Sequence, residues 1–208
     1  MSKNESILAA VYQEYIALKS EQKGRIGFRD NLLYVTIGAV GTVISLVFVG
    51  KTSAEALLLV PWVTLVLGWT YIVNDEKVSA IGRYIRHVLE GRAKLTLGGK
   101  GSDQLLLDNK EHPDWDPEIK RLIEYTKDSL FGWEVAHRSD DHQRVRKWIQ
   151  LIIDLITFVV PGFVCILSYC FSTSSITMGV IALMIVEGLS LGVLGWQILV
   201  YCDWKKGA

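Results

Sequence analysis

The feature that most constrains this chain is a pair of long apolar runs in its last third. They cover Ile149–Phe171 and about Ile176–Val200, and a short polar turn at Ser172–Ser175 joins them. Each run exceeds the roughly 20 residues that a helix needs to cross a hydrocarbon core of about 30 Å. The pair therefore predicts a transmembrane helical hairpin.

A second hairpin is predicted earlier in the chain, with spans at about Leu32–Val49 and Ala54–Val73. The turn between them, Gly50–Ser53, reads Gly-Lys-Thr-Ser, the ending of a phosphate-binding loop. That motif needs a glycine where this chain has Ser45, and it needs a strand–loop–helix pattern that is missing here. We therefore interpret the turn as a tight connection and not as a nucleotide site.

The predicted fold is an all-α integral membrane protein with four transmembrane helices in two hairpins and a cytosolic helical segment between them. The apolar residues are clustered into runs, as in membrane proteins, whereas a soluble core would disperse them. The predicted segments are a cytosolic amphipathic helix (1–31), hairpin 1 (32–73), a cytosolic helical segment (74–148), hairpin 2 (149–201) and a cytosolic tail (202–208).

The N-terminal segment has apolar residues at helical spacing from Leu8 to Leu18. Its mixed charge favours packing on the protein's own cytosolic part over lying on the membrane. Two glycines predict a loose connector at Lys23–Asn31 before the first span.

After the second span, a helix is predicted at about Lys77–Glu90, either separate or continuous with that span. Its apolar stripe is Val78, Ile81, Ile85 and Val88, and Gly91 is the predicted stop. Further along, a small hairpin or ordered loop is predicted around Gly98–Gly101, and Asp116-Pro117-Glu118 predicts another helix start.

Charge gives the predicted orientation. Lys plus Arg equals Asp plus Glu at 22 each, which offers no argument for a nucleic-acid partner. Five of these cations precede the first span and fourteen lie between the hairpins, against one and none in the two turns. The positive-inside rule then predicts a multi-pass protein of the cytoplasmic (inner) membrane with both termini in the cytoplasm.

Each C-terminal run holds one acid, Asp154 or Glu187. At 1.5 Å per residue, Asp154 lies roughly 8 Å inside the inner boundary and Glu187 roughly 20 Å from it. The predicted polar stripe adds Thr157, Ser190 and Gln197. Two interpretations stay open, helix packing through hydrogen bonds and a polar path through a bundle or oligomer. Either acid could be protonated, because burial disfavours the charged form.

Small residues and cations complete the candidate sites. The predicted helix-packing positions, which would support a homo-oligomer, are Gly38, Gly41, Gly188, Gly192 and Gly195. The predicted contacts to lipid headgroups are Arg25, Arg29, Arg144, Arg146 and Lys147.

The residues point away from catalysis. No nucleophile motif or paired-cysteine zinc pattern is present, and the three cysteines fit no disulfide framework. His137 and His142 bracket Asp140 and Asp141, which leaves a metal site or a membrane enzyme as the weakest alternative. We expect no enzyme activity and no cofactor.

Two stretches carry a resemblance, Arg25–Tyr34 and Leu67–Arg86. They resemble those of a group of uncharacterised bacterial integral membrane proteins. The overall layout is similar to small multi-span proteins proposed as pore-forming effectors in antiviral defence. That second likeness is architectural and transfers no site residue.

Two functions remain as expectations. The first is an oligomeric channel or membrane-perturbing effector, controlled through the cytosolic segment and active in antiviral defence. The second is a non-conducting membrane anchor or sensor that recruits a cytosolic protein partner. Under either function, we expect the protein to contact membrane lipids.

Overall fold

The computed structural model describes residues 3–96, 143–173 and 175–201. Of its described residues, 93% are helical and none lies in a strand, which confirms the all-α prediction. Four helical stretches are long and apolar enough to cross a membrane: Asn4–Phe48, Ala54–Thr96, Val145–Ser172 and Met178–Val200. Insertion and the two-hairpin layout stay predictions.

The helices follow one another with few interruptions. In chain order they are α1 (Lys3–Phe48), a 3₁₀ helix (Ala54–Leu58), α2 (Leu59–Tyr84), a π-helical turn (Ile85–Leu89), α3 (Glu90–Thr96), α4 (Gln143–Phe158), α5 (Val160–Ser172) and α6 (Met178–Tyr201). The chain forms two compact units, to which α1 and α2 both contribute. The span unit is Arg25–Glu76 with Val145–Ala208, and the helical-pair unit is Met1–Gly24 with Lys77–Arg144.

The first helix passes through Gly24 and Gly27 without a break, so the predicted connector there is wrong. A glycine inside a helix costs roughly 1 kcal/mol relative to alanine, and for this reason the two glycines predict a loose connector. In the span unit, Arg29 Nη1 donates to Asp75 Oδ1 over 2.7 Å. This bond from α1 to α2 helps to offset the glycine cost.

The turn after α1 is a helix C-cap. Gly50 has a φ of +69°, a conformation that only glycine adopts readily. Its N–H donates to the Val47 carbonyl and the Lys51 N–H donates to the Leu46 carbonyl, each over 3.0 Å. These two bonds form a Schellman motif. The Gly-Lys-Thr-Ser string therefore begins at a helix end, in agreement with the exclusion of a phosphate loop.

The third predicted span is divided in the structure. α4 ends at Phe158 and α5 begins at Val160, because Pro161 has no N–H to donate to the carbonyl four residues earlier. The main buried cluster of the span unit forms around this break, from α1, α2, α4 and α6. It consists of Leu32, Tyr71, Ile72, Phe158, Leu194 and Ile198.

In the helical-pair unit, the N-terminal part of α1 packs on the chain after the second span. Val11 is buried with Ile85, Leu89 and Ala93, and Tyr15 and Leu18 cover the same cluster. This agrees with the prediction that the amphipathic helix packs on the protein itself.

The π-helical turn changes which residues of this unit are buried. The sequence predicts Val88 on the apolar stripe, but Val88 is exposed and Leu89 is fully buried. A π-turn contains more residues than an α-turn. The next buried residue after Ile85 is therefore four positions later, at Leu89, and not three positions later, at Val88. The helix also continues past Gly91, which was the predicted stop.

Some predictions fall beyond the described chain. The first arm of the predicted hairpin is Lys94–Leu97, and α3 makes it helical as far as Thr96. The remainder of that hairpin, the helix start at Asp116 and the residues His137 and His142 lie outside the described residues.

Candidate functional site

Asp154 lies in a hydrogen-bonded cluster within the span unit. Its side chain is 7% exposed. Gln150 Nε2 donates to Asp154 Oδ1 over 2.9 Å and to the Tyr71 hydroxyl over 2.7 Å. The Tyr71 hydroxyl also lies against the Asp154 carboxyl. The carboxyl therefore joins α4 to α2.

The same cluster continues towards α1 through Tyr71. The guanidinium carbon of Arg29 lies 5.9 Å from the centroid of the Tyr71 ring. Arg29 pairs with Asp75 at 2.7 Å and with its neighbour Asp30 at 3.0 Å. Three helices are thus linked by charged and polar side chains.

Glu187 has different surroundings. Its side chain is 2% exposed, and neither carboxyl oxygen has a hydrogen-bond partner. It lines a narrow crevice with Pro61, Trp62 and Leu65 of α2 and Ser190 of α6, and the crevice has no room for a water molecule. Trp62 lies beside the carboxyl in this crevice, but its indole makes no hydrogen bond to it.

Nearby hydroxyls in the span unit are satisfied, which sets Glu187 apart. Thr64 and Thr36 are fully buried, and each donates to a carbonyl of its own helix, over 3.1 Å and 2.7 Å. An unsatisfied buried polar group costs about 1–3 kcal/mol, and more when it is charged. Glu187 therefore does not act as a hydrogen-bonding contact between helices in this fold.

The other members of the predicted polar stripe are divided between these two places. Thr157 is buried one turn from Asp154, and Ser190 lines the crevice of Glu187. Gln197 is half-buried further along α6. No hydrogen bond among the described residues joins the two acids. Tyr71 and Pro61, their respective neighbours on α2, are separated by about 15 Å along the helix.

The tightest glycine contacts in the described part of the chain are at Gly68 and Gly162. A Cβ at Gly68 would lie 2.9 Å from Leu194 Cδ2 and 3.0 Å from Phe158 Cβ. A Cβ at Gly162 would lie 2.6 Å from Leu191 Cδ1. These glycines allow α2 and α5 to approach their neighbours closely.

The predicted packing glycines differ among themselves within one chain. Gly195 packs near Val159, and a Cβ at Gly188 would just reach Phe163 at 4.0 Å. Gly38, Gly41 and Gly192 have nothing within 4 Å of an added Cβ. Their predicted role between copies of the chain stays a prediction.

The cations predicted to contact lipid are also divided. Arg25 donates to Asn74 over 3.4 Å, and Arg29 belongs to the polar cluster described above. Arg146 and Lys147 are exposed at the start of α4, while the Arg144 side chain lies outside the described residues. Lipid contact stays a prediction for all five.

Sequence reasoning missed three residues of these sites as partners of the acids. Gln150 carries a usable signal, because it lies four residues before Asp154 and so on the same helix face. The approach of Tyr71 to Asp154 and of Trp62 to Glu187 depends on the packing of separate helices, which the spacing of residues does not reveal.

No protein-family model, curated protein or solved structure matches this chain. Within the described ranges, no group of three or more His, Cys, Asp or Glu side chains could hold a metal ion. The functional argument therefore depends on the two acids and on the faces that the helices present.

Proposed function

We propose that this chain forms an oligomeric membrane channel or membrane-perturbing effector, controlled through its cytosolic segment. It is a multi-pass protein of the cytoplasmic membrane with both termini inside, and the layout noted above suggests a role in antiviral defence. The four apolar helical stretches support the membrane part of this proposal.

One observation carries the proposal. Glu187 is buried in the central part of α6, and its carboxyl makes no hydrogen bond. An ionisable residue such as Asp at the centre of a span costs about 3 kcal/mol on the insertion scale. A side chain that costs free energy and makes no bond in return does not stabilise the fold. Its presence therefore supports a function in the membrane.

The outer surface of α6 supports self-association. Leu189, Val193 and Trp196 are exposed on it, together with Gly192, which has open space around its Cα. Small residues on such a face allow helices of two copies to approach closely. An oligomer would supply the additional helices that a pore needs.

The test measures ion flux in vesicles or membrane depolarisation in cells at matched expression. We expect Glu187→Gln to abolish flux while the protein inserts and assembles normally, because Gln keeps the size and polarity but cannot ionise. Asp154→Asn is the matched control. It makes the same carboxyl-to-amide change in the hydrogen-bonded cluster and should retain most of the flux. Full flux in Glu187→Gln would contradict the proposal.

The alternative is a non-conducting anchor or sensor that recruits a cytosolic protein partner. Exposed apolar side chains in the helical-pair unit favour it, since Tyr12 is 64% exposed and Ile16 and Leu95 are also exposed. This alternative predicts no ion flux in the wild type, and it predicts that Tyr12→Glu abolishes cellular function. The channel proposal predicts instead that Glu187→Gln reduces cellular function more than Tyr12→Glu does.

A further inference from the structure

The crevice between α2 and α6 points to a specific ligand. We infer that Glu187 is a proton-binding site inside the membrane. When the proton leaves, the Trp62 indole N–H donates a hydrogen bond to the carboxylate. This inference rests on the proposed function, because it names the ligand of the same site.

Metal cations do not suit the crevice. Hard cations such as Ca²⁺ and Mg²⁺ take about six or more oxygen ligands. Among the residues that line the crevice, Glu187 and Ser190 alone carry side-chain oxygen atoms. No water fits beside them to complete a coordination shell. A proton requires one carboxyl oxygen and no further space.

The groups around Glu187 favour the neutral carboxyl. From α2 it faces Pro61, Trp62 and Leu65, and from α6 it faces Ser190. On the neighbouring α5, Phe163 approaches Gly188. None of these side chains is titratable or charged, so no counter-charge among the described residues stabilises the carboxylate. A carboxyl in apolar surroundings without a partner holds its proton.

A second copy of the chain cannot supply the missing partner in this conformation. At 2% exposure, the Glu187 side chain is covered by its own chain and offers almost no surface to a neighbour. A lipid headgroup is excluded for the same reason and because the residue lies in the central part of the span.

Trp62 is placed to respond to ionisation. Its side chain lines the crevice beside Glu187 and is 41% exposed on α2, so packing within the chain does not fix the indole in one orientation. A small rotation would bring the indole N–H into a hydrogen bond with the carboxylate. Such a bond to a charged group contributes about 1.5–3 kcal/mol. Release of the proton would therefore be coupled to movement of Trp62.

Infrared spectroscopy of the full chain in lipid bilayers tests the inference directly. A protonated carboxyl has a C=O stretching band separate from those of carboxylate and amide groups. We expect this band at about pH 7. A solvated glutamate, with its ordinary pKa of about 4.3, is ionised at that pH. Glutamate labelled with ¹³C at the carboxyl should shift the band, whereas labelled aspartate should not.

Variants then assign the band to one residue. Glu187→Gln should remove the band. In the matched Asp154→Asn variant, the part of the band that shifts with labelled glutamate should be unchanged. Trp62→Phe removes the indole donor, so the band should persist to a higher pH than in the wild type. The isotope measurement needs no variant, so the absence of a glutamate-derived band would overturn the inference even if Glu187→Gln misfolds.

The inference is overturned if no glutamate-derived band exists at about pH 7, or if the band survives in a folded Glu187→Gln protein. The spectra are recorded without transport, so the two proposals fail separately. Flux without the band would contradict the proton site and retain the channel. The band without flux would retain the proton site and contradict the channel.

Discussion

Asp154 and Glu187 are two buried carboxyl groups in neighbouring spans with different surroundings. Asp154 accepts a hydrogen bond from Gln150 and lies against the Tyr71 hydroxyl, whereas Glu187 meets mainly carbon atoms. Burial alone would assign both residues the same role. The bonds that each carboxyl makes divide them into an acid that is hydrogen-bonded within the fold and an acid that has no hydrogen-bond partner.

This division predicts opposite effects of the same substitution on stability. Asp154→Leu should destabilise the folded protein by about 1–3 kcal/mol, because it leaves the Gln150 and Tyr71 groups without their partner. Glu187→Leu removes no hydrogen bond and should be neutral or stabilising. Reversible unfolding in mixed detergent micelles would measure both. Equal destabilisation by the two changes would show that Glu187 has partners in the fold.

A polar contact also links elements outside the spans. In the helical-pair unit, the Tyr84 hydroxyl donates to Glu14 Oε1 over 2.7 Å. The hydrogen bond to Glu14 raises the pKa of Tyr84, because loss of the phenolic proton would break it. Tyr84 therefore remains a donor across the physiological pH range and joins α2 to α1.

At the residue scale, the sequence shows two acids within the apolar runs and predicts different depths for them. It did not reveal which of them is bonded. Gln150 could have been paired with Asp154 from spacing alone, because i and i+4 share a helix face. Tyr71 is 83 positions from Asp154, and only the packing of α2 against α4 brings the two together.

At the scale of elements, close helix contacts depend on Gly68. Alanine there should destabilise the span unit by about 1–3 kcal/mol, because its Cβ would lie 3.0 Å from the Phe158 Cβ, an atom fixed to the backbone. Gly41→Ala is the matched control. It has nothing within 4 Å and should be neutral or slightly stabilising, since alanine favours helix.

Thermal unfolding of the two variants in the same detergent checks this prediction. A Gly41→Ala variant that loses as much stability as Gly68→Ala would place a second packing surface at Gly41. An unaffected Gly68→Ala would mean that α2 and α4 can separate slightly without cost.

The helices themselves were predictable because hydrophobic runs of this length have few alternatives. The interruptions of these helices are not predicted from the sequence. Pro161 is visible in the sequence, but the length of the apolar run predicts one continuous span across it. The π-helical turn at Ile85–Leu89 leaves no sequence signal, because its residues suit a regular helix equally well. Packing on α1 selects Leu89 over Val88, and that choice requires the partner helix.

At the scale of the whole molecule, the open face of α6 predicts an effect on assembly. Gly192→Leu should weaken self-association by about tenfold, which corresponds to about 1.4 kcal/mol, by blocking close approach of a second copy. Gly179→Leu is the control, because Gly179 is also open but lies nearly opposite to Gly192 around the helix. Assembly size in mild detergent distinguishes them, and unchanged size in both variants would exclude this face as the interface.

The unpartnered state of Glu187 also has a consequence for biosynthesis. Because the finished fold gives its carboxyl no hydrogen bond, later packing cannot recover the cost of placing it in the bilayer. That cost is about 3 kcal/mol, and each Leu, Ile or Val near a helix centre contributes about 0.3–0.6 kcal/mol in favour of insertion. α6 contains twelve such residues. In the proposed four-span fold, α6 can therefore insert as an independent segment, without a hydrogen bond from another helix.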